Sequence, residues 1–571
     1  MDDVPLILYW LSQMQVPEII DAALSEPHGN RQGLSYGQLT VLWLTYILTQ
    51  YDHRLNPVEA WARERQRTLQ QATGWHLDDK ELTDDRLADL LTALGGAASP
   101  SPPSTPREAI EQALGQQVIR AYALPTAIGR IDTTSVAVYH GAKDRDGSPR
   151  TLLHFGHSKD RHPERRQFIE ALATLDPVGM PLVTATLPGQ QADDPTYLPI
   201  WQRMVQTLGR PDFLLVADCK LGSLSNRAQI HAQGGFYLCP LAMVGKRDDL
   251  LRDWALAAPT EVHDLVFDEV KWGCGFEITL GLWSDETLPN SDVKPRVRWE
   301  ERALIVKSDT LAERQVAGMQ ARLKAAETAL VKLAQSPGTT RAKLETKAQQ
   351  LLNKHRVAEF FSVEVIEEVT SAQRQIGRGR PSPNRPTREV EVRHLRLNFC
   401  RQEQAIATAQ QLAGWRIFVT NATAAQLPLA EAINHYRGQW QPEHGFHRLK
   451  TGVVAALPIY LQDETRIRGL MLVLGIALRI LTLVEFVVRR RLSKEQDGVA
   501  GLYDGNPKRT TKRPTTERLF AAFQNITLYC HHLENQEVYQ LTPLSALQKQ
   551  LLALMEIPES IYRLPEPEAS G

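Results

Sequence analysis

The chain has 571 residues and carries 65 lysines and arginines against 66 aspartates and glutamates, which gives a formal net charge of −1. Because this length exceeds that of most single domains, we expect two or three domains and ample chain for a sizeable core. With 43% hydrophobic and 23% charged residues, the composition is that of an ordinary soluble globular protein. The five cysteines form no Cys-x-x-Cys pair, which indicates neither a zinc site nor a disulfide framework and fits a reducing cytoplasm.

The first part of the chain, residues 1–98, is predicted to be a small helical domain. Apolar residues recur at helical spacing around residues 39–44, and a more polar half follows through residues 84–91. No clear helix-turn-helix pattern is present, so a DNA-binding domain and a dimerising bundle both stay open. The Pro- and Ser-rich residues 99–107 then predict a linker. The acidic start of the chain lacks the charged and apolar regions of a signal peptide.

Residues 108–245 are predicted to form a mixed sheet with helices packed against it. A run of sequential strands followed by alternating helices and strands is typical of that architecture. The predicted strands lie near 128–139, 151–157, 166–174, 180–187, 213–218 and 235–240, and the predicted helices near 194–208 and 223–233.

Two aspartates in these strands need a partner. Asp132 lies inside a β-branched and apolar run, and Asp218 ends the continuous apolar run 213–218. Aspartate is disfavoured in strands and costly to bury alone, so a divalent cation is a natural partner for each. A turn-facing or salt-bridged aspartate is the alternative for either residue taken singly.

Residues 246–422 are predicted to be an insertion with β strands, because a direct connection of this length is unusual in a compact domain. Within it, residues 309–357 predict a helical hairpin. This hairpin is either a coiled-coil arm that meets another subunit or DNA, or a surface spacer.

The insertion also contains a basic cluster. Residues 373–401 carry eight arginines and two glutamates, a local net charge of +6. Inside this cluster the run Gly377-Arg378-Gly379-Arg380-Pro381 looks like the core of an AT-hook, which inserts arginines into an A·T minor groove. A flexible basic loop is the alternative, and either interpretation favours DNA near Arg378 and Arg380.

DNA-binding proteins usually have a basic surface, because neutralising phosphates and releasing counterions drives their affinity. The net charge of −1 therefore argues against a uniformly basic surface. A second cluster, residues 487–519, has nine lysines and arginines against four acids, a local net of +5. We accordingly expect DNA contacts in patches.

Residues 423–492 are predicted to return to the sheet-bearing unit, and residues 493–571 to form a C-terminal helical region. The apolar run 469–488 contains Arg479 and Glu485, which favours a buried helix packed on the sheet over a membrane span.

Within the predicted part 423–492, one acid, Glu443, lies among aromatic and basic residues. Pro442 has a fixed φ and no amide donor, so a helix is predicted to begin at about Gln441 or Pro442. Glu443 and Lys450 then lie two turns apart on one helical face and can address the same ligand, although a solvated face is the alternative. The segment runs Tyr436-Arg437-Gly438-Gln439-Trp440-Gln441-Pro442-Glu443-His444-Gly445-Phe446-His447-Arg448-Leu449-Lys450.

Asp132, Asp218 and Glu443 together fit one metal site. Two-metal phosphoryl transfer uses several carboxylates around a pair of hard cations, one of which activates the attacking oxygen while the other stabilises the leaving oxygen. Two strands and a helix are suitable supports for such carboxylates.

These motifs resemble those of the DDE transposases of bacterial insertion sequences, in the branch with a Tyr-x2-Arg-x3-Glu-x6-Lys signature, often called the insertion sequence four group. Tyr436, Glu443 and Lys450 match that spacing, whereas Gln439 replaces the usual arginine and Pro442 an aliphatic residue. Further stretches that resemble the family are Ile131-Asp132-Thr133-Thr134, Val216-Ala217-Asp218, Gly156-His157-Ser158-Lys159-Asp160 and Thr186-Leu187-Pro188-Gly189, so the resemblance covers about residues 120–490.

The resemblance implies a ribonuclease H-like α/β fold, a mixed sheet with helices on both faces that is interrupted by the insertion. It implies a transposase that cuts DNA at transposon ends and joins the freed 3′-hydroxyl to target DNA. In such an enzyme Asp132, Asp218 and Glu443 would be catalytic and would bind two Mg²⁺ ions, or Mn²⁺ in their place. Contacts to the phosphates beside the scissile bond are expected from Tyr436, Arg437, Arg448 and Lys450.

The implied partner is double-stranded DNA, as terminal inverted repeats and as target, bound by a homodimer in a paired-end complex. No membrane partner is expected, and the predicted location is the bacterial cytoplasm, at the nucleoid. Three alternatives remain: a domesticated, non-catalytic DNA-binding descendant, a ribonuclease H-like nuclease without strand transfer, and, least supported, a glycosidase with two carboxylates.

Overall fold

The computed structural model describes residues 1–24, 33–96, 105–144, 147–243, 245–257, 261–286, 295–335, 340–378, 380, 383, 385–533 and 536–564. Its strands are β1 (Ile128–Val138), β2 (Arg166–Leu175), β3 (Met180–Pro188), β4 (Leu214–Ala217), β5 (Phe236–Pro240), β6 (His263–Phe267), β7 (Val270–Asp285), β8 (Arg296–Ser308), β9 (Phe361–Gln375), β10 (Thr387–Arg401), β11 (Trp415–Thr420), β12 (Leu528–Leu533) and β13 (Gln536–Leu541).

The α-helices complete the secondary structure of the described residues. They are α1 (Val4–Gln13), α2 (Val16–Ala23), α3 (Tyr36–Gln50), α4 (Val58–Glu64), α5 (Gln66–Thr73), α6 (Asp84–Leu94), α7 (Pro106–Tyr122), α8 (Tyr197–Leu208), α9 (Leu224–Ala232), α10 (Lys246–Leu256), α11 (Asp309–Gln335), α12 (Arg341–His355), α13 (Glu403–Leu412), α14 (Leu429–Arg437), α15 (Trp440–Lys450), α16 (Glu464–Leu492), α17 (Thr516–Ala521) and α18 (Ala546–Met555).

A nine-stranded mixed sheet organises the molecule, with the strand order β3-β2-β1-β4-β5-β11-β8-β7-β6. β1, β2 and β3 pair as antiparallel neighbours, whereas β4 pairs in parallel with both β1 and β5. Alternate residues of β4 enter two different apolar clusters, Leu215 and Ala217 on one side and Val216 on the other. Both faces of this strand are therefore covered, as expected for the continuous apolar run that forms it.

The predicted insertion does more than interrupt the sheet. Its strands β8, β7 and β6 extend the same sheet through β11, and all of these added pairings are antiparallel. Part of the insertion is therefore continuous with the sheet that carries Asp132 and Asp218.

The outer part of the insertion has an apolar core of its own. Helices α11, α12 and α13 pack with the β9–β10 hairpin around Leu323, Leu344, Val365, Leu397 and Ile406. The predicted helical hairpin is thus present in α11 and α12, while its predicted turn at residues 336–338 lies outside the described residues.

Helix α16 is the central helix of the main core. By length and composition alone it could cross a membrane, but its apolar window is completely buried within the protein. The prediction of a buried helix is confirmed, and this burial is consistent with a soluble protein. The buried Arg479 donates from its guanidinium to the carbonyl oxygens of Pro181 and Leu182 on β3, which compensates for burying the charge.

The N-terminal helices form as predicted, but they do not enclose a core of their own. Their buried residues belong to the same apolar cluster as the sheet and α16. At Gly469 a Cβ would collide with the carbonyl oxygen of Leu91, so glycine is what allows α16 and α6 to approach closely. Most of the predicted 99–107 linker lies outside the described residues, and Thr105 already caps the first turn of α7.

Most predicted elements between residues 128 and 240 match the structure, with one error. Residues 151–157 do not form a strand and make only an isolated bridge between His154 and Gln167. The C-terminal region contains the β12–β13 hairpin as well as helices, so it is not purely helical.

Candidate functional site

The register of two parallel strands brings Asp132 and Asp218 together. Ile131 of β1 pairs with Ala217 at the end of β4, and the two aspartates are the next residues along each strand. Neighbouring strands lie about 4.8 Å apart, so these two carboxylates share one end of the strand pair. The sequence predicted both residues as site candidates, and the pairing places them next to each other.

Glu443 reaches this region from the first turn of α15, which packs against β1 and β2. Gly445 permits that approach, because a Cβ there would lie 2.8 Å from Cδ2 of Leu172 on β2. The side chain of Glu443 is exposed, whereas Asp132 and Asp218 are half-buried. The helix begins at Trp440, within two residues of the predicted start.

The three acids influence one another electrostatically. Burial, the largest cause, and the negative charges of Asp218 and Glu443 together raise the pKa of Asp132 to about 6, against the lowering effects of the Thr133 amide and Lys159. A like charge has such an effect only at short range, within about one Debye length. Asp132 therefore senses both of the other predicted site residues.

Each acid keeps at least one oxygen available. The backbone amide of Thr133 donates to Oδ1 of Asp132 over 2.8 Å. Oδ1 of Asp218 accepts from the Tyr197 hydroxyl over 2.6 Å and from the Lys220 amide over 2.9 Å. Burial and the nearby Asp218 raise the pKa of the Tyr197 hydroxyl, which keeps it a neutral donor.

Within the described ranges, no group of three or more His, Cys, Asp or Glu residues lies close enough together to hold a metal ion as it stands. The donor set still suits a hard divalent cation, since such ions prefer carboxylate oxygens. A cation there would also stabilise the ionised form of Asp132, whose pKa is raised mainly by burial and further by the charges of Asp218 and Glu443. Asp132, Asp218 and Glu443 would need to draw closer together around it.

A second group of polar residues lies beside Asp132 and was not assigned from the sequence. Nζ of Lys159 donates to the carbonyl and hydroxyl oxygens of Thr133 over 2.7 and 2.6 Å, and it lies 3.3 Å from Asp193 Oδ2. The Thr133 hydroxyl in turn donates to Asp193 Oδ1 over 2.9 Å. The family resemblance of the Gly156–Asp160 stretch could have indicated Lys159, but the sequence analysis gave this stretch no role.

The same stretch connects to α15. Nζ of Lys450 lies 2.6 Å from Asp160 Oδ1, so the motif lysine is ion-paired two turns after Glu443. The loop that contains Lys159 and Asp160 therefore joins the Asp132 strand to the Glu443 helix.

Arg448 requires a correction. It is only 4% exposed, and its guanidinium binds Glu485 of α16 and Glu517 of α17. Its charge is compensated inside the protein, which argues against the predicted contact of Arg448 with DNA phosphates. The spacing of the motif could not reveal this, because the two partners lie 37 and 69 residues further along the chain.

The other predicted DNA-contacting residues differ in exposure. Tyr436 is half-buried and packs edge-to-face on Phe418 with ring centroids 4.7 Å apart, and burial raises the pKa of its hydroxyl to about 12. Arg437 is exposed, with its guanidinium 4.4 Å from the ring centre of Phe267. Arg437 can therefore reach a ligand, whereas Tyr436 mainly packs.

Arg378 and Arg380 are exposed in the connection between β9 and β10. Gly379 and Pro381 of the AT-hook-like run lie outside the described residues. Arg378 and Arg380 thus lie at the end of the β9–β10 hairpin.

Gln439, the departure from the signature arginine, accepts a hydrogen bond from Nη1 of Arg130 over 3.4 Å. Arg130 is 1% exposed, and it also binds both carboxylate oxygens of Asp176 and the carbonyl oxygen of His435. This buried arginine, two residues before Asp132 on β1, connects that strand to the junction of α14 and α15. Its polar contacts were missed, although alternation on a strand places Arg130 on the same face as Asp132.

A scan against protein-family models finds none that matches this chain. A search of curated proteins finds no match either.

Proposed function

We propose that this protein is a DDE-type transposase that cuts and joins DNA by metal-dependent phosphoryl transfer. The observation that supports it best is the placement of Asp132 and Asp218 at adjacent positions of two parallel strands, with the charge of Glu443 felt at Asp132. The mixed sheet with covered faces is compatible with the ribonuclease H-like fold that this function requires.

In this proposal Asp132, Asp218 and Glu443 would hold two Mg²⁺ ions, whose chemistry when bound would be to activate the attacking oxygen and to stabilise the leaving oxygen. Tyr197 and the backbone amides of Thr133 and Lys220 orient the two aspartates through the hydrogen bonds to their Oδ1 atoms. Phosphoryl transfer depends mainly on such positioning and on charge neutralisation.

Positive charge around the scissile phosphate is assigned to Lys450 and Arg437. Lys450 would exchange its bond to Asp160 for a phosphate oxygen when DNA binds. Processing two transposon ends together requires two such sites, so we also propose a homodimer that acts in the cytoplasm, at the nucleoid.

The test is incubation of the purified protein and Mg²⁺ with a labelled duplex that carries the DNA flanking its gene. Wild-type protein is expected to cut the duplex and to join the 3′-end to a second DNA. Asp218→Asn should lower the cutting rate by about a thousandfold, since metal charge stabilisation is worth several kcal/mol.

Asp212→Asn is the matched control, because Asp212 precedes the same strand but is exposed and, among the described residues, pairs only with Arg210, over 3.3 Å. It should cut at the wild-type rate. Equal rates for Asp218→Asn and Asp212→Asn would refute the metal site, and cutting without joining would reduce the function to that of a nuclease.

A further inference from the structure

A basic groove lies in the insertion, between α10, α11, α13 and the C-terminal end of α12. Its volume is about 1010 Å³. Four arginines line it, Arg252, Arg314, Arg322 and Arg356, while the acidic residue at its wall is Glu359. We call this surface the arginine groove.

Helical spacing places two of these arginines on one face. Arg314, Gly318 and Arg322 are four residues apart along α11, so they lie one above another. Gly318 leaves room on this face for the Arg322 guanidinium, since Nη1 of Arg322 is the nearest atom to a Cβ built there, at 3.8 Å. With a rise of 1.5 Å per residue, Arg314 and Arg322 are anchored about 12 Å apart.

Within the part of the chain that the structure describes, none of these four arginines forms an ion pair. Other arginines of the insertion are paired. Arg401 binds Glu327 of α11 over 2.7 Å, and Arg341 at the start of α12 binds Glu345 over 2.8 Å. The groove therefore concentrates uncompensated positive charge in one concave place.

The first turn of α13 borders the same groove. Gln404 and Ala405 of this turn line the groove, and no side chain caps the helix there. Uncapped amides at a helix N-terminus add hydrogen-bond donors for an anion.

We infer that the arginine groove binds the phosphate backbone of duplex DNA. Arginines from three separate segments, Arg252, Arg314 and Arg356, line the groove, which suits the row of phosphates of duplex DNA better than a single phosphate. Arginine is also the side chain best suited to phosphate oxygens, through its planar fork of donors. This inference rests on the proposed function, since it takes DNA as the ligand, and it adds a contact surface outside the carboxylate site.

The test compares two double variants. Arg314→Gln with Arg322→Gln removes two charges from the groove, and Arg63→Gln with Arg341→Gln removes two exposed charges that are paired with Glu59 and Glu345. Binding to a random-sequence duplex of about 30 base pairs is measured in EDTA over a range of salt concentrations. Thermal melting checks the fold, and Arg314→Lys with Arg322→Lys should restore most of the affinity.

The groove variant is expected to bind at least about tenfold more weakly, with a salt slope shallower by about 1.8 for two lost phosphate contacts. The control should bind within about twofold of the wild type. Equal affinities for the two variants would overturn the proposal.

A second experiment measures the binding of inorganic pyrophosphate to the wild type and to the groove variant. If it binds the wild type and not the groove variant, while duplex affinity is unchanged, the ligand is a small phosphate compound and the DNA assignment is wrong. Because EDTA prevents cleavage, this result is separate from the proposed function: a wild type that binds DNA through the groove but never cuts would refute the transposase alone.

Discussion

The buried and the exposed arginines of this protein have opposite surroundings. Arg448 and Arg130 lie in the interior, and each binds a carboxylate and further oxygen acceptors. In the arginine groove Arg314 and Arg322 lie at the surface without an ion pair among the described residues. Buried charges must be compensated within the protein, whereas uncompensated charges at the surface remain available to a ligand.

The acids follow the same rule. Glu485 and Glu517 are compensated by Arg448 in the interior. Asp132 instead lies next to Asp218 at the end of the β1–β4 pairing, where burial and, to a smaller extent, the charges of Asp218 and Glu443 raise its pKa. Ligand sites are therefore best sought where like charges are left together, and position in a motif is a weaker guide.

The largest predicted effect concerns Arg448. Arg448→Met should lower the free energy of unfolding by about 3–5 kcal/mol, because it leaves the buried Glu485 with only part of its compensation. Urea unfolding measures the loss. The exposed Arg437→Met is the control and should stay within about 0.5 kcal/mol of the wild type. A stable Arg448→Met protein with a reduced salt slope for DNA binding would return Arg448 to the DNA-contacting residues.

A somewhat smaller effect on stability is expected at Gln439, which replaces the arginine of the signature. Gln439→Arg should lower the free energy of unfolding by about 1–3 kcal/mol, because a second guanidinium would replace the oxygen that accepts from the buried Arg130. Gln439→Glu keeps an acceptor and serves as the control. An unchanged urea midpoint for Gln439→Arg would show that Arg130 does not restrict this position.

Replacing Asp132 is expected to raise the free energy of unfolding, unlike the two substitutions above. The pKa of Asp132 in the folded protein, about 6, lies above its ordinary value of 3.8. Ionisation therefore costs free energy in the folded state, so stability falls as the pH rises from about 4 to 6 and the full cost is present above about 6. Asp132→Asn should raise the free energy of unfolding at pH 8 in EDTA by about 1–3 kcal/mol while abolishing cleavage.

The check is urea unfolding of wild type and Asp132→Asn at pH 8 and near pH 4. The two proteins should differ at pH 8 and converge near pH 4, where Asp132 is largely protonated in the folded state. A variant that is less stable than wild type at pH 8 would contradict the raised pKa of Asp132.

The smallest effect is expected for single contacts to DNA. Lys450→Met should make the salt dependence of duplex binding shallower by about 0.9, the value for one phosphate contact. Lys549→Met is the control, since Lys549 is exposed and pairs with Glu559 over 3.0 Å. Equal slopes for both variants would remove Lys450 from the DNA-binding surface.

Several elements were predictable because apolar or β-branched runs formed them. β1, β4 and α16 are such elements, and the acids on β1 and β4 could be recognised as residues out of place in a strand. β9 was not predicted, because most of its residues after Ile366 are polar and exposed, and the strand is stabilised by pairing with β10 along its whole length. The residue types along a segment carry little information on the strand with which it will pair.

The predictability of the site has the same limit. Residue type and spacing indicated Asp132, Asp218 and Glu443, but not what surrounds them. Asp193 and Lys159 reach the Asp132 strand from separate loops, and the partners of Arg448 come from two later helices. Only the folded arrangement distinguishes a cation that is compensated by the protein from one that is left for DNA.

The most direct test of the central claim is diffraction from crystals soaked in Mn²⁺, with anomalous scattering used to locate the ions. The account predicts two Mn²⁺ ions about 3.5–4 Å apart, bound by oxygens of Asp132, Asp218 and Glu443. Asp218→Asn crystals should lose at least one of them. Ions bound elsewhere, or both ions retained at full occupancy in Asp218→Asn, would contradict the assignment of these three carboxylates as one metal site.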